Sequence, residues 1–271
     1  MPELPEVETI ARGLNQRVSG DQIESVWIGS KPEPLKSSAK LIARTLERTR
    51  IEQVRRVGKH IVFDLSADSE EAKRQWIVHL GMTGQLLVCP PDVGIQKHTH
   101  LIAKLQSGQE LRFVDPRRFG RLSVAVDGKF AATGSEPLEI ATEPFIALFR
   151  GRETPIKSAL LNQKLLRGVG NIYADESLFR AGIRPRRRAA SVTGEQFRKL
   201  HAAVQEVLKE AITLGGSSIS DYVDANGEEG FFQLQHRVYG REGEPCLVCK
   251  TPIKRVIIAG RSSHYCPKCQ K

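Results

Sequence analysis

The sequence predicts an α+β chain of more than one domain: an N-terminal β-sandwich flanked by helices, a helical second part and a short hairpin module at the end. Three observations carry this. Short β-branched segments bounded by turn residues recur from Gln22 to Val126, a helical apolar period replaces them around residues 193–214, and four of the five cysteines fall in two Cys-x-x-Cys pairs near the C-terminus. At 271 residues the chain also exceeds the usual length of one domain.

The strand segments are IEQVRRV at Ile51, HIVFDL at His60, QWIVHL at Gln75, HLIAKL at His100, ELRFVD at Glu110 and RLSVAV at Arg121. Their number and spacing are those of a sandwich. Ahead of them Val7, Ile10, Ala11, Leu14 and Val18 form one apolar stripe with Pro5 in the first turn, so a helix opens the chain. Residues 127–137, with Gly128, Gly134 and Pro137, have the composition of a linker. Beyond it Phe197, Leu200, Val204, Leu208 and Ala211 repeat at helical spacing, opened by a Thr193–Gln196 capping box and closed by Gly215 and Gly216. A shorter helix is predicted from an Asn171 N-cap to a stop at Gly182, with Pro185 after it. Residues 215–230 are polar and glycine-rich and predict a loop. The expected division is 1–126, a linker at 127–137, 138–235 and 236–271.

Lys and Arg outnumber Asp and Glu by 41 to 31, giving a net charge of +10 and a surface that attracts a polyanion. Nucleic acid is the leading partner. No run of about 18 apolar residues occurs and no signal peptide is indicated, so a membrane partner is not expected and the cytoplasm is the expected compartment. In a reducing compartment the paired cysteines read as metal ligands, while Cys89, alone before Pro90 and Pro91, reads as a packed thiol. Cys246, Cys249, Cys266 and Cys269, with sixteen residues between the pairs, suit one structural Zn²⁺ whose four thiolates leave no open position for catalysis. Residues 236–271 hold eight Lys or Arg and two Glu, and the stretch between the cysteine pairs reads as a hairpin with Ala259, Gly260 and Arg261 near its turn, offering arginine to a nucleic acid.

The chain begins PELPEVET after Met1. Methionine before proline is usually removed, which would leave Pro2 with a free secondary amine at a helix N-terminus. There the positive end of the macrodipole disfavours the protonated form, and an α-amino group already titrates at about 7.7–8.0 against about 10.4 for lysine. Such an amine is a nucleophile at neutral pH, and Glu3 or Glu6 beside it can shuttle protons during Schiff-base formation. Taken in isolation, a Pro-capped helix with acidic residues complementing its dipole is the better explanation of the segment.

Further motifs decide between these readings: Lys59 in RRVGKH, HLGMTGQL at His79, DPRRFGRL at Asp115, GVGNIYADESLFRAGI at Gly168 and VYGREGEPC before the last cysteines. With PELPEVET, and in this order, the chain resembles the formamidopyrimidine-DNA glycosylase family, the MutM-type 8-oxoguanine DNA glycosylases. The resemblance implies a helix-two-turns-helix DNA-binding domain at 138–235 and a zinc-finger hairpin at 236–271. It implies a bifunctional glycosylase and AP lyase of base excision repair acting as a monomer on damaged double-stranded DNA. In it Pro2 is the nucleophile, Glu3 assists sugar ring opening, Lys59 is the third catalytic residue, near the lesion and its phosphates, and Glu6 supports them. Met82, Arg117 and Phe119 match the family's residues that fill the void left by an everted base. His79, His98, Asn171 and Arg261 match DNA contacts, Lys157 a further lysine on the lesion side, and Ser217, Ser218, Ile219, Ser220, Asp221 and Tyr222 the loop over the damaged base. An endonuclease VIII-type enzyme for oxidised pyrimidines is the nearest rival. A non-catalytic zinc-dependent DNA-binding protein is the rival from another class.

Overall fold

In the computed structural model, which describes residues 1–67, 70–218 and 230–271, the chain divides into two compact units. One comprises Met1–Ala132 with Gly215–Phe231, the other Thr133–Leu214 with Phe232–Lys271.

The first unit runs α1 (Leu4–Val18), β1 (Gln22–Ile28), α2 (Ala39–Leu46), β2 (Thr49–Val57), β3 (His60–Ala67), β4 (Glu70–His79), β5 (Gln85–Cys89), β6 (Thr99–Leu105), β7 (Glu110–Val114) and β8 (Arg121–Ala125). The strands hydrogen-bond in the order β5-β7-β6-β1-β2-β3-β4-β8, each pair antiparallel. Leu86 and Val88 from one edge strand and Leu122 from the other belong to a single core with Ile51, Phe63, Trp76, Leu101 and Phe113. A flat sheet cannot bring its two edges to one core, so the sheet folds over itself as a sandwich. Phe63 stacks on Trp76 at 4.6 Å inside it.

Helices cover the flanks: α1 lies against β2, β3 and β5, and α2 against β1, β4 and β8. The predicted stripe of α1, Val7 through Val18, is buried in the same core. The α2 helix went unannounced by the sequence because it is short and buries only Ile42, Thr45 and Leu46; Ser38 caps it by accepting the Leu41 N–H at 3.2 Å. On the opposite sheet face Phe130 and Ala132 cover Val57, Val62 and Ile77, and the Phe130 N–H donates to Gln75 Oε1 at 2.9 Å. The start of the predicted linker is thus laid onto the sheet.

The second unit contains α3 (Thr142–Phe149), α4 (Ile156–Leu160), α5 (Asn171–Arg180), α6 (Gly194–Thr213) and the hairpin β9 (Lys254–Ile258) and β10 (Arg261–Tyr265). Phe145, Phe149 and Phe197 pack ring to ring between α3 and α6. The α6 capping box forms as predicted, Thr193 Oγ1 accepting from Gln196 and Gln196 Oε1 from Thr193. The α5 N-cap is Gly170, not Asn171; extended backbone at Gly170 starts the helix and puts Asn171 one residue inside it. At its other end Gly182, at φ +70°, lets the Gly182 and Ile183 N–H groups turn back onto Phe179 and Leu178.

Because α1 is anchored by a fully buried Leu14, Leu14→Ala is expected to cost about 2–5 kcal/mol of first-unit stability. Urea unfolding followed through the emission of the buried Trp76 measures it.

Candidate active site and metal centre

The segment leading into α1 is buried although it is charged: Glu3 is 4% and Glu6 2% exposed, and Pro2 is buried beside them. Backbone N–H groups make this tolerable. Glu6 Oε2 accepts the Glu3 N–H at 2.8 Å and Oε1 accepts the Ser217 N–H at 2.8 Å. Gly216, at φ +83°, passes so close that a Cβ there would stand 2.9 Å from the Glu6 side chain. Glu6 therefore joins the start of α1 to residues 216–217. Ser218 follows, its Oγ accepting from the Gly230 N–H at 2.9 Å; Ile219, Ser220, Asp221 and Tyr222 lie outside the described residues. Lys59 sits with Gly58 at the turn between β2 and β3, where Val57 pairs with His60.

Asp115 organises the other loops of this unit. Its Oδ1 accepts Thr83 Oγ1 at 2.6 Å and the Arg117 N–H at 3.2 Å, and Oδ2 accepts the Gly120 N–H at 2.7 Å. One carboxylate thus folds the DPRRFG loop and ties it to the HLGMTG turn. Gly81, at φ +66°, brings the two backbones together; a Cβ there would lie 2.5 Å from the Phe119 carbonyl carbon. Met82 and Phe119 are left 41% and 52% exposed, and the Arg117 guanidinium stands 4.9 Å from the Phe119 ring centroid. Exposed apolar side chains on braced loops suit insertion into another molecule better than core packing. His79 closes β4 with Nδ1 accepting the Gly81 N–H at 3.1 Å, which leaves the proton on Nε2. Burial first, then His60, Arg121 and Lys59, lower its pKa to about 4, so the ring is a neutral donor near pH 7. His98 is half-buried just before β6, and its carbonyl accepts the Asp115 N–H at 3.0 Å.

In the second unit one expectation fails. Lys157 is fully buried: its Nζ pairs with Asp175 Oδ1 at 2.7 Å and donates to the Ser262 carbonyl at 2.6 Å. An ammonium enclosed in this way is no DNA contact; it holds β10 against α4 and α5. Sequence reasoning missed Asp175 and Glu176, whose signal was two acids in a helix otherwise opened by apolar residues. Asp175 Oδ2 accepts the His264 N–H at 2.8 Å, and Glu176 accepts the N–H groups of Arg237, Val238 and Tyr239 at 2.9–3.1 Å. Burial pushes the Glu176 pKa up while those three donors pull it back. Ala259 and Gly260, at φ +46° and +75°, make the hairpin turn and leave Arg261 exposed at the head of β10. Asn171 is half-buried at the first turn of α5.

The four paired cysteines place their Sγ atoms within 4.8 Å of one another, Cys249 and Cys266 at 3.4 Å and Cys246 and Cys269 at 3.9 Å. Four sulfurs about 2.3 Å from a central Zn²⁺ stand about 3.8 Å apart, so the cluster fits a closed tetrahedral site. Hydrogen bonds with Thr251 draw the Cys249 pKa down to about 6, whereas burial drives Cys266 and Cys269 up. A divalent cation is what allows all four to ionise together. Phe179 of α5, Val238 and Ile253 pack around the cysteines, and the buried Gln270 bonds the Cys266 N–H and the Ile183 carbonyl.

A folded sheet with a buried, carboxylate-flanked proline after Met1, a helical unit and a four-cysteine finger define a class of zinc-bearing DNA glycosylases. The match is borne out along the chain: the formamidopyrimidine-DNA glycosylase N-terminal domain covers residues 1–122, the H2TH domain of the same enzymes 133–223, and the zinc finger found in FPG and IleRS 243–271. The formamidopyrimidine-DNA glycosylase of Solibacter usitatus is 48% identical, with each chain covered in full, and that of Desulfitobacterium hafniense 43%, likewise in full. The crystal structure of MutM (Fpg) from Thermus thermophilus superposes with a TM-score of 0.86 at 41% identity, covering 99% of this chain and 98% of that one. Lactococcus lactis Fpg, in complex with DNA containing an abasic site, gives 0.90 at 33% identity over 99% of both chains. The chain belongs to the formamidopyrimidine-DNA glycosylase family. The endonuclease VIII and non-catalytic readings are not favoured.

Replacing Lys157 by Met would strand the Asp175 carboxylate without its partner, at an expected cost of about 3–5 kcal/mol. Calorimetric unfolding should show the loss, and Lys157→Met combined with Asp175→Leu should recover only part of it, because the buried His264 N–H then loses its acceptor.

Proposed function

We propose that this chain excises oxidised purines, 8-oxoguanine and formamidopyrimidines, from damaged double-stranded DNA and then cleaves the strand, with Pro2 as nucleophile. The observation that carries this is the position of Pro2: once Met1 is removed, a secondary amine stands next to the buried Glu3, in a family of DNA glycosylases. The Pro2 nitrogen attacks C1′ and the base leaves with the electron pair of the glycosidic bond. Glu3 delivers a proton to the sugar ring oxygen, the ring opens, and an iminium forms between nitrogen and C1′. The iminium acidifies the C2′ proton, whose loss expels the 3′ phosphate; a second elimination releases the 5′ phosphate, and hydrolysis frees the enzyme.

Reaching C1′ requires the nucleotide to leave the stack, at a cost of a few kcal/mol. Met82 and Phe119 would fill the space and Arg117 would donate to the widowed base. Neutral His79 through Nε2–H, together with Lys59, His98, Asn171 and Arg261, would hold the surrounding backbone. Glu6 would support the chemistry through structure, by fixing Glu3 and Ser217. Residues 217–222 would face the damaged base. The working division is a catalytic part at 1–126, a linker at 127–137, a DNA-binding part at 138–235 and the finger at 236–271. No described helix is long and apolar enough to cross a membrane; a cytoplasmic monomer bound to the nucleoid is the reading in best accord with the charge.

Borohydride treatment during reaction with a duplex holding one 8-oxoguanine opposite cytosine should leave an adduct on the N-terminal peptide by mass spectrometry. An adduct on Lys59 would sink the assignment. Glu3→Gln should slow excision far more than it weakens binding to the same duplex, since its role is proton transfer. Arg261→Ala, with zinc retained, should weaken binding and lower the salt dependence by about one phosphate contact. An unchanged salt slope would make the hairpin a structural staple only.

A further inference from the structure

Beside the DPRRFG loop the first unit holds an open cavity of ≈ 460 Å³, bounded by Trp27, Lys31, Lys97, His98 and Arg118. This lies within the range of ligand pockets, about 300–1,000 Å³. Of the residues assigned to DNA above, His98 lines it, whereas Pro2, Met82, Arg117 and Phe119 do not.

Three features make it more than a surface dent. Its charge is one-sided: two ammonium groups and a guanidinium line it with no carboxylate among the lining residues, and the nearest acid partner is Glu33, 2.7 Å from Arg118. Its aromatic wall is open: the Trp27 indole, at the end of β1, is 51% exposed, whereas the chain's other tryptophan is fully buried. At the neighbouring Gly29 a Cβ would stand 3.4 Å from the ring edge, in ordinary van der Waals contact, so the backbone itself runs close under the indole. Its walls are also bonded to one another. The Gly29 N–H donates to the His100 carbonyl at 3.0 Å, the His100 Nε2 meets the Asp115 carbonyl at 2.9 Å, and the His98 carbonyl accepts the Asp115 N–H at 3.0 Å. The cavity is therefore formed before anything enters it, which spares a ligand the cost of ordering it.

Cations around a half-exposed indole are the chemistry that recognises a nucleotide: phosphate to ammonium and guanidinium, base face to aromatic ring. Arg118 adopts the left-handed region, at φ +57°, which turns its side chain away from that of Arg117. One loop thus offers Arg117 to the Phe119 ring and Arg118 to the cavity. We propose that this cavity is a second DNA subsite, seating one unpaired nucleotide with its phosphate among Lys31, Lys97 and Arg118 and its base stacked on Trp27. The proposal rests on the DNA-repair reading above and adds to it a place for a strand end or single-stranded overhang. A base inside a duplex has both faces covered and cannot make this stack.

Tryptophan emission reads the site directly, because Trp27 is exposed and Trp76 is enclosed. Titration with deoxyadenosine 5′-monophosphate should quench the emission saturably. Trp27→Phe should abolish the quench and retain the Trp76 signal. Lys31→Gln with Lys97→Gln should raise the midpoint about tenfold, as expected for two exposed ion contacts. Deoxyadenosine should bind more weakly and inorganic phosphate should compete. A duplex with a single-stranded adenine overhang should reproduce the quench, and a blunt duplex of the same sequence should not. Absence of a saturable quench, a midpoint unmoved by the double lysine change, or equal responses to blunt and overhanging duplexes would overturn the proposal. Borohydride trapping on the same variants tests the Pro2 reading separately: trapping without quenching removes only the subsite, and quenching without trapping removes only the glycosylase mechanism.

Discussion

A carboxylate deprived of water has to be given hydrogen by something else, and four such groups in this chain take it largely from the backbone. Glu6 takes it from Glu3 and Ser217, Asp115 from Arg117 and Gly120 with the Thr83 hydroxyl, Asp175 from His264 beside the Lys157 ammonium, and Glu176 from three consecutive residues of the tail. Each joins segments far apart in sequence, and each stands next to a motif with chemistry to perform. Removing one would leave its buried donors unpaired, so the loops and the sites they carry depend on these acids.

In the second unit the acids and the metal divide the work. The cysteine cluster closes the finger upon itself, while Asp175 and Glu176 fix its hairpin and its lead-in to α5. Phe179 of α5, packed on the cysteines, and the bond from Gln270 to the Ile183 carbonyl add to the seating of the finger on that helix. The buried Lys157 completes this arrangement, which explains a lysine in a setting where a solvent-facing cation would be useless.

Much of this was legible from residues alone. The α1 stripe, the α6 capping box, the Gly182 stop and the hairpin turn each rest on local geometry, and local geometry is what periodicity and turn chemistry report. The cysteine spacing announced the metal because tetrahedral coordination leaves so few alternatives. The α2 helix escaped because two buried aliphatic side chains on eight residues are too few to set a period. Lys157 was misplaced, and Asp115, Asp175 and Glu176 went unassigned, for a different reason. A buried charge reveals itself only through its partner, and those partners lie from 2 to 105 positions away in the chain. Sequence marks a charged residue; burial decides whether it meets solvent, DNA or another part of the protein.

The loop braced by Asp115 bears on the entropy of recognition. Exposed Phe and Arg side chains on a slack loop must surrender backbone freedom when they enter a partner, at about 1–2 kcal/mol for each residue fixed. Between Asp115 and Gly120 that freedom has already been given up during folding, because the carboxylate holds the Arg117 and Gly120 N–H groups and Gly81 closes against Phe119 from the other side. Whatever meets this loop encounters side chains on a fixed frame, and only their own rotamers remain to be ordered.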